Sequence, residues 1–418
     1  MIKSMRLEQF KNFRDATLTL GPLTVIVGTN ASGKSNLRDA FRFVHGMSRG
    51  YTLAEIIGEK YVEGGVLQWK GIRGGTREVA YTGESSFALT TKLREDSVRL
   101  EHVIEVGVGT VRSGPRVLHE SLHRGSRVVY DSHNMDDPPE QEGRPYIFVR
   151  LRRDEINRKH GKRLRFLDNQ PIISQFPQHR EVRKEYRSDA TTFSDALESM
   201  RFLDLSPEAM KTPSLPGQVV LGDRGENLSS VLQAICENEE TKRAVAEWIR
   251  ELTPLDVVDF EFVPDQTGRI LLNLIESGGQ RTSAYSASDG TLRFLAMIAA
   301  LMGPDSAKFY FLEEIDNGIH PTRLYLLLQL IEQRAKEGNV QIVTTTHSPQ
   351  LLGMLSATAR EHASLVYRLE GSSEARIRRI VDIPEAKQVL EEQNLSRLHE
   401  SGWLEDAVSF AESAEAPQ

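Results

Sequence analysis

The stretch Gly28-Thr29-Asn30-Ala31-Ser32-Gly33-Lys34-Ser35 decides how this chain folds. It fits the pattern G-x-x-x-x-G-K-[ST], in which a glycine-rich loop curls its backbone N–H groups around phosphate oxygens. The apolar run Leu23 to Val27 precedes the loop and predicts a buried strand, and Asn36 to Met47 follows with apolar side chains at helical spacing. Because a helix N-terminus also attracts anions, this strand–loop–helix context predicts a phosphate-binding site. It disfavours the alternative of a glycine-serine turn before an ordinary helix.

The residues of this loop have distinct expected roles. Lys34 would reach the β- and γ-phosphates of a bound nucleotide, and the Ser35 hydroxyl would ligate Mg²⁺. We therefore expect ATP and Mg²⁺ as cofactors. The positions expected to contact the nucleotide here are Gly28, Asn30, Ala31, Ser32, Gly33, Lys34, Ser35 and the adjoining Asn36.

Length and composition limit the class of protein. The chain has 418 residues, enough for one large or two ordinary domains, and its single cysteine, Cys236, excludes an intrachain disulfide. The N-terminal residues lead into an alternating strand pattern and not into an apolar signal segment. The longest apolar stretch, Phe294 to Met302, is too short to span a bilayer. We expect a cytoplasmic protein without a membrane partner.

Charge is unevenly distributed along the chain. The formal net charge is −7, yet the segment 144–187 is strongly basic, whereas the C-terminal stretch is acidic. A basic segment in an acidic protein is a candidate contact surface for DNA or for an acidic partner. The alternative is a solvated surface whose charges pair within the fold. We favour that alternative slightly, because aromatic residues do not interleave with the basic ones along the segment at a stacking rhythm.

The second half of the chain carries carboxylates and a histidine at the ends of two predicted strands. The apolar run Lys308 to Leu312 ends in Glu313-Glu314, and the run Gln341 to Thr346 ends in His347. Carboxylates at the carboxyl end of a buried strand are what a phosphate-binding sheet needs beside its ligand. We assign Glu313 to the metal shell and Glu314 to orienting the attacking water. His347 would hydrogen-bond the γ-phosphate and sense its loss, although a lone histidine there could also be structural.

A second anion site is predicted at Ser286-Ala287-Ser288-Asp289-Gly290-Thr291, which precedes a helical apolar pattern. A serine and a glycine at a helix N-terminus bind negative charge. The chain has one phosphate-binding loop, so we expect Ser288 and Gly290 to complete the nucleotide site of a second copy. The open alternative is that Ser288 is only an N-cap.

Taken together, the motifs resemble the RecF/SMC/OLD-like branch of ABC-type ATPases, and more narrowly its stand-alone bacterial members. The resemblance covers both halves of the ATPase head well and the middle of the chain loosely. It implies roles for Asn12 and Arg14, because Lys11-Asn12-Phe13-Arg14 resembles a turn that lies near the nucleotide in this branch. It also implies a glutamine that contacts Mg²⁺ and water; Gln68 is the nearest candidate, and a surface glutamine beside Trp69 is equally open. The motifs that carry the resemblance are Gly28 to Ser35, Ser288-Asp289-Gly290-Thr291, Glu313-Glu314, Asn317-Gly318-Ile319-His320-Pro321 and Thr346-His347-Ser348-Pro349.

The predicted fold class is α/β: a P-loop NTPase head of ABC type, with a mixed β-sheet flanked by helices, formed by both chain ends and carrying an α+β insertion. The head would comprise 1–60 and 281–383, the strand-rich and helical insertion 61–280, and a C-terminal helix with an acidic tail 384–418. Recurrent prolines in the insertion exclude a long coiled-coil arm. We expect no nuclease domain after the His347 strand, because the residues that follow it here allow only one or two helices and a tail. The insertion is predicted to contain antiparallel strands over 78–93 and 98–108, helices over 191–203, 228–236 and 241–252, a hairpin over 257–275, and an exposed loop over 131–142.

Several functions remain open from these motifs. The first is a switch ATPase that dimerises, or forms a higher oligomer, around ATP and acts on DNA or on a separate effector such as a nuclease, in bacterial anti-phage defence or DNA maintenance. The second is a RecF-like DNA-repair ATPase that contacts duplex DNA through 144–187. The third is a nucleotide-sensing scaffold with little hydrolysis, which Glu313 in place of aspartate keeps open. A transporter motor is disfavoured by the long insertion and by the S-D-G-T motif.

Overall fold

A computed structural model describes residues 1–95, 97–110, 113–132, 145–151, 162–304, 307–317, 319–337, 340–347 and 349–383. Strands are numbered β1 to β19 and helices α1 to α12 in chain order. The predicted C-terminal helix and acidic tail (384–418), most of the predicted loop 131–142 and part of the basic segment lie outside the described residues. The chain divides into two compact units, and both are discontinuous in sequence.

The first unit comprises 1–21, 28–199 and 364–379. Its helices are α1 (Lys34–Ser48), α2 (Leu53–Ile57), α3 (Gly75–Glu78), α4 (Ile172–Gln175) and α5 (Lys184–Glu198), with a short 3-10 turn at Phe176–Gln178. Its strands are β1 (Ile2–Phe10), β2 (Phe13–Thr19), β4 (Glu59–Val62), β5 (Val66–Lys70), β6 (Ser86–Glu95), β7 (Val98–Gly107), β8 (Arg116–Arg124), β9 (Arg127–Asp131), β10 (Tyr146–Leu151), β11 (Lys162–Leu167), β18 (Ala363–Arg368) and β19 (Ala375–Arg379).

The first unit is built on an antiparallel sheet in the order β2-β1-β6-β7-β8-β9. Alternation of apolar and polar residues buries one face of each strand, and Phe43 of α1 packs edge-on against Phe87 of β6 at 5.3 Å between ring centroids. Strands β10 and β11 form a separate antiparallel pair, as do β4 and β5. The predicted strand from residue 78 begins only at Ser86, since residues 75–78 form α3 and Gly83 takes a positive φ of 92° in the turn between them.

The second unit comprises 22–27, 200–363 and 380–418, described up to residue 383. Its strands are β3 (Leu23–Val27), β12 (Met200–Leu203), β13 (Val257–Pro264), β14 (Ile270–Glu276), β15 (Arg281–Ser283), β16 (Phe309–Leu312) and β17 (Gln341–Thr346). Its helices are α6 (Pro207–Met210), α7 (Leu228–Cys236), α8 (Glu239–Leu252), α9 (Asp289–Met302), α10 (Pro321–Lys336), α11 (Pro349–Met354) and α12 (Ala357–Arg360).

The core of the second unit is a parallel sheet in the order β12-β16-β17-β3. All five residues of β3, all four of β16 and all six of β17 are buried, as expected for parallel strands covered by helices on both faces. The predicted hairpin is confirmed as β13 and β14, and the predicted helix 228–236 as α7. None of the described helices is long and apolar enough to cross a membrane.

The predicted helix 191–203 is wrong at its C-terminal end. The helix is α5, which covers Lys184–Glu198, and residues Met200–Leu203 form β12 instead. Phe202 lies opposite Phe311 in the parallel pairing of β12 with β16. A short, fully buried strand shows no alternation of apolar and polar residues. In the sequence, its apolar run therefore cannot be distinguished from a continuation of the helix that precedes it.

Candidate nucleotide-binding site

The predicted phosphate-binding loop lies where the sequence places it, after β3 and before α1, and α1 begins at Lys34. The Lys34 ammonium group donates hydrogen bonds to the carbonyl oxygens of Gly28 at 2.6 Å and Thr29 at 2.7 Å. Ala31 takes a positive φ of 62°, a conformation that costs a non-glycine residue about 1 kcal/mol or more. The loop is therefore curled around its own lysine, with backbone strain of the kind found at ligand sites.

Gly33 has no room for a side chain. Its φ is 124°, and a Cβ atom there would lie 3.0 Å from Ala375 Cβ and 3.1 Å from both Asn12 Nδ2 and Phe13 Cζ. Glycine is required at this position both for its φ and for this close approach. The turn containing Asn12 therefore lies directly against the phosphate-binding loop, in agreement with the position that the family resemblance implies.

Two buried polar atoms around the loop have no hydrogen-bond partner among the described residues: Asn12 Nδ2 and Ser32 Oγ. Asn12 is otherwise fixed, because its Oδ1 accepts from Asn36 Nδ2 at 2.7 Å and its carbonyl accepts from the Ala375 N–H at 2.7 Å. Buried polar groups are normally paired, so unpaired ones beside a loop of this form call for a polar ligand. A nucleotide phosphate, which accepts from amide and hydroxyl donors, fits both atoms.

A charged cluster next to this turn was missed by reasoning from sequence. The Asp39 carboxylate on α1 is buried and lies 3.3 Å from Lys11 Nζ and 3.1 Å from Arg73 Nη2. Lys11 also donates to the Arg73 carbonyl, and burial lowers the pKa of its ammonium group. A cavity of about 620 Å³ opens beside the cluster, and Asn36 and Arg73 are among the residues that line it. Lys11 and Arg73 are 62 positions apart in the sequence, so their contact is visible only in the folded chain.

Arg14, the other predicted residue of this turn, is exposed, and its guanidinium carbon lies 5.4 Å from the centre of the Tyr81 ring. Gln68 lies on β5 and is exposed, whereas its neighbour Trp69 is buried and donates from Nε1 to the Ile56 carbonyl at 3.2 Å. The roles of Arg14 and Gln68 stay predictions.

The second unit brings the ends of three strands to one edge of its sheet. Leu312 lies opposite Thr344, and Thr346 lies opposite Val27, the residue that precedes the phosphate-binding loop in the chain. Glu313-Glu314 and His347 are the next residues after β16 and β17. Ligands of such sheets bind outside the carboxyl ends of the strands, so this edge is where the predicted catalytic residues are needed.

The Glu314 carboxylate is held from both sides. Its Oε1 lies 3.4 Å from His347 Nε2, and its Oε2 accepts a hydrogen bond from Asn317 Nδ2 at 3.4 Å. The Glu314 backbone takes a positive φ of 48° while its N–H donates to Thr345 Oγ1 at 3.1 Å. A strained, exposed carboxylate with both oxygens positioned is suited to orienting a water molecule. Glu313, assigned to the metal, is half-buried at the preceding position.

The residues Ser288 and Gly290 begin α9 in the second unit. The Ser288 side chain caps the helix, since its Oγ accepts from the Thr291 N–H at 3.2 Å. Ser288 is exposed and Gly290 partly exposed. Ser288 is therefore an N-cap, and an exposed capped helix start is also the geometry of an anion site.

The fit of Mg²⁺ depends on the donor atoms available. Mg²⁺ in nucleotide sites takes one or two protein oxygen ligands and completes its shell with phosphates and water. The Ser35 hydroxyl and the Glu313 carboxylate are oxygen donors of this kind. Among the described residues there is no cluster of three or more His, Cys, Asp and Glu side chains that could hold a metal by itself.

Comparison with known proteins identifies the family. Residues 23–353 match the family described as "AAA domain, putative AbiEii toxin, Type IV TA system". The chain belongs to this family. A curated relative from Helicobacter pylori (strain ATCC 700392 / 26695), named "ATP/GTP phosphatase", is 22% identical over 374 residues, which cover 86% of this chain and 89% of that protein.

The fold is also that of a solved SMC head. The structure titled "Crystal structure of the SmcHead bound to the C-winged helix domain of ScpA" matches with a TM-score of 0.50 at 14% identity, over 90% of this chain and 96% of that one. Family and fold confirm the prediction of an ATPase with an ABC-type head similar to the SMC/RecF branch. Membership of the family implies nucleotide binding.

Proposed function

We propose that this ATPase is a switch in which two copies close around two ATP molecules and hydrolysis reopens them. The observation that carries the proposal is the exposed start of α9, where Ser288 and Gly290 present a helix N-terminus in a chain whose one phosphate-binding loop lies elsewhere in the sequence. A helix N-terminus carries about half a positive charge, which favours a phosphate delivered by another copy.

The chain's own residues would divide the chemistry as follows. Lys34 and the N–H groups of the loop bind the β- and γ-phosphates, and Ser32 and Asn12 supply further donors. Ser35 and Glu313 hold Mg²⁺, with Gln68 as a further candidate ligand; the bound ion would neutralise charge on the phosphates. The Glu314 carboxylate orients the attacking water and takes its proton, while His347 and Asn317 hold that carboxylate in place.

Glu314→Gln tests the switch. The amide keeps the side-chain shape but cannot take a proton, so ATP should persist and the variant should run as a dimer or higher multiple with ATP and as a monomer with ADP in light-scattering chromatography. Combining it with Lys34→Ala provides the control, because loss of nucleotide should return the monomer. A Glu314→Gln chain that stays monomeric at saturating ATP contradicts the proposal.

Substitutions at Ser288 test the second copy's contribution. Aspartate and asparagine both cap helices well and are nearly isosteric, so both should preserve α9. Ser288→Asp places a negative charge where the partner's γ-phosphate would lie, and it should abolish ATP-dependent assembly while leaving ATP binding intact. Ser288→Asn should still assemble. Equal assembly of the two variants would show that no phosphate reaches this helix.

We further propose that closure is passed to a separate effector protein, such as a nuclease, in bacterial anti-phage defence. The family's description as a toxin–antitoxin component supports a role of this kind. Purification of the native chain with and without ATP, followed by identification of its partners, tests it: an effector should co-purify preferentially in one nucleotide state. A nucleotide-independent set of partners would contradict a switch.

Direct binding of DNA through 144–187 is the second candidate, and part of this segment is used within the fold. The Arg187 guanidinium donates to the backbone carbonyls of Val182 and His179 at 2.9 and 2.8 Å. Other basic positions are exposed, among them Arg163, Arg165, Arg180 and Lys184. The arrangement around Arg163 and Arg165 favours a nucleic-acid contact.

A further inference from the structure

The hairpin of β10 and β11 carries two arginine–aromatic pairs on one face. The Arg163 guanidinium carbon lies 3.8 Å from the centre of the Phe148 ring, and that of Arg165 lies 4.5 Å from the centre of the Tyr146 ring. The pairs lie across the two strands, since Phe148 is opposite Arg165 and Tyr146 is opposite Leu167 in the antiparallel register. Each guanidinium therefore reaches diagonally to a ring two positions from the residue opposite it, as cross-strand neighbours can.

This face points away from the core of the first unit. Most of the alternate residues of the same strands are buried, with Leu164 1% and Phe166 3% exposed, and Phe166 stacks on Phe176 at 6.0 Å between ring centroids. On the other face, Tyr146 is 38% and Leu167 42% exposed, and Arg163 and Arg165 are exposed as well. The period-2 alternation of a strand thus separates a buried apolar face from an outward face of rings and guanidinium groups.

The charged residues of the two strands have one sign. The twelve residues of β10 and β11 contain four basic residues and no aspartate or glutamate. Basic side chains interleaved with aromatic rings are the composition of surfaces that bind single-stranded nucleic acid, in which cations meet phosphates and rings stack on bases. Cation–π contact also holds the two guanidinium planes in place before any ligand binds, so little side-chain entropy is lost on binding.

We propose that the outward face of the β10–β11 hairpin binds single-stranded nucleic acid. Successive outward residues on a strand are spaced by about 6.7 Å, so the two arginine–aromatic pairs offer two separate stacking positions for unpaired bases. In duplex nucleic acid the base faces are stacked on one another, so a duplex could contact only the arginine charges of this face and not its rings. An acidic peptide would also use only the charges, which leaves the two rings without a role. The proposal concerns the chain's partner and is independent of ATP-driven closure.

The test measures binding of the full chain to labelled 20-nucleotide oligo-dT and oligo-U and to a 20-base-pair duplex by fluorescence anisotropy over a range of salt concentrations. We expect tighter binding to a single strand than to the duplex; the two oligonucleotides distinguish DNA from RNA. The double variant Tyr146→Leu with Phe148→Leu keeps apolar side chains but removes the rings. It should weaken single-strand binding by roughly tenfold or more and leave the salt dependence unchanged.

The double variant Arg163→Gln with Arg165→Gln should lower the slope of log K against log salt by about 1.4, at roughly 0.7 per lost phosphate contact. The double variant Arg180→Gln with Lys184→Gln removes the same amount of charge from the start of α5 and from the residues that precede it. This control should leave the slope of log K against log salt nearly unchanged. ATP binding and melting temperature of every variant should match the wild type, which separates loss of the surface from loss of the fold.

Four results would overturn the proposal: no binding at 50 mM salt, a preference for the duplex, unchanged affinity in the ring variant, or binding of poly-glutamate in place of either oligonucleotide. The last would identify an acidic protein partner for this face. Failure of ATP-dependent dimerisation in Glu314→Gln would leave this inference untouched, since the two are measured by different readouts.

Discussion

At the scale of single residues, Lys34 is the side chain on which nucleotide binding most depends. Its ammonium group is buried and bonded to two loop carbonyls, which a bound phosphate would replace as partners. We expect Lys34→Ala to abolish tight ATP binding in calorimetry. Lys92→Ala, which removes a half-exposed lysine from β6, should bind ATP normally. Unchanged ATP affinity in Lys34→Ala would mean that the loop does not hold phosphate.

The single cysteine gives a second prediction at this scale. Burial raises the pKa of the Cys236 thiol to about 12. Because the thiolate is the reactive form, this pKa lowers its population at pH 8 by roughly a thousandfold relative to an ordinary thiol. We expect iodoacetamide to modify the native chain far more slowly than the urea-unfolded chain, as measured by mass spectrometry. Equal rates would show that Cys236 is accessible and ordinary in reactivity.

The residues of the site differ in how far sequence could find them. The loop from Gly28 to Ser35 is local, so a pattern of eight residues was enough to locate it. The cluster of Lys11, Asp39 and Arg73 joins residues from a turn, a helix and a loop, and no spacing in sequence reports that contact. Ser288 was open to two interpretations, and its hydrogen bond to the Thr291 N–H shows a cap while leaving the anion site a proposal.

At the scale of secondary-structure elements, Glu120 of β8 ties the sheet of the first unit to α4. Its carboxylate is fully buried and accepts from the Ile172 and Ile173 N–H groups at 2.6 and 2.7 Å. The Tyr130 hydroxyl donates to it at 2.8 Å, and His102 Nε2 lies 3.0 Å away. One charged side chain thus satisfies the backbone donors at the start of a helix and joins two further strands.

Glu120→Gln tests this tie. The amide keeps one oxygen but turns an NH₂ group toward the Ile172 N–H, so a buried donor loses its acceptor. We expect a loss of about 1–3 kcal/mol in chemical denaturation. Glu101→Gln on the neighbouring strand weakens only a half-exposed ion pair to Lys92 and should cost less than about 1 kcal/mol. Equal losses of stability in the two variants would show that the buried hydrogen bonds of Glu120 contribute no more than an exposed ion pair.

The β10–β11 hairpin shows why an argument from sequence can fail although it considers the correct residues. Aromatic and basic residues do not alternate along 144–187, and that observation argued against a stacking surface. In the folded chain they alternate across two strands, because the register sets Phe148 opposite Arg165. Sequence shows neighbours along one strand, whereas pairing creates neighbours across strands. The strand β12 was missed for a related reason: only its pairing with β16 distinguishes it from the end of a helix.

At the scale of the whole molecule, the parallel sheet of the second unit draws its strands from distant parts of the chain, at residues 200, 309, 341 and 23 in spatial order. The strands contributed by both halves of the chain could be predicted, because β3, β16 and β17 are each followed by a motif with known chemistry. The spatial order of the strands could not, since it depends on long-range pairing that periodicity does not report. The predicted boundaries at residues 60 and 281 stay predictions.

The composite site can be tested with two inactive chains. Lys34→Ala lacks a working phosphate-binding loop, and Ser288→Asp lacks a working second-copy contact, so each alone should hydrolyse ATP very slowly. In a mixed dimer, the intact loop of the Ser288→Asp chain meets the intact Ser288 of the Lys34→Ala chain, which restores one site.

Neither chain should form a homodimer with ATP, so the dimers that assemble from equal amounts of the two chains are mixed and each has one working site of two. We expect up to about half of the wild-type rate in a phosphate-release assay. Mixing Lys34→Ala with Ser288→Asn serves as the reference, since Ser288→Asn is expected to retain the contact. A Ser288→Asp chain that hydrolyses ATP normally by itself would show that each nucleotide is completed within one chain. Two inactive chains whose mixture stays inactive would show that hydrolysis needs both sites intact at once, and independent composite sites would then be wrong.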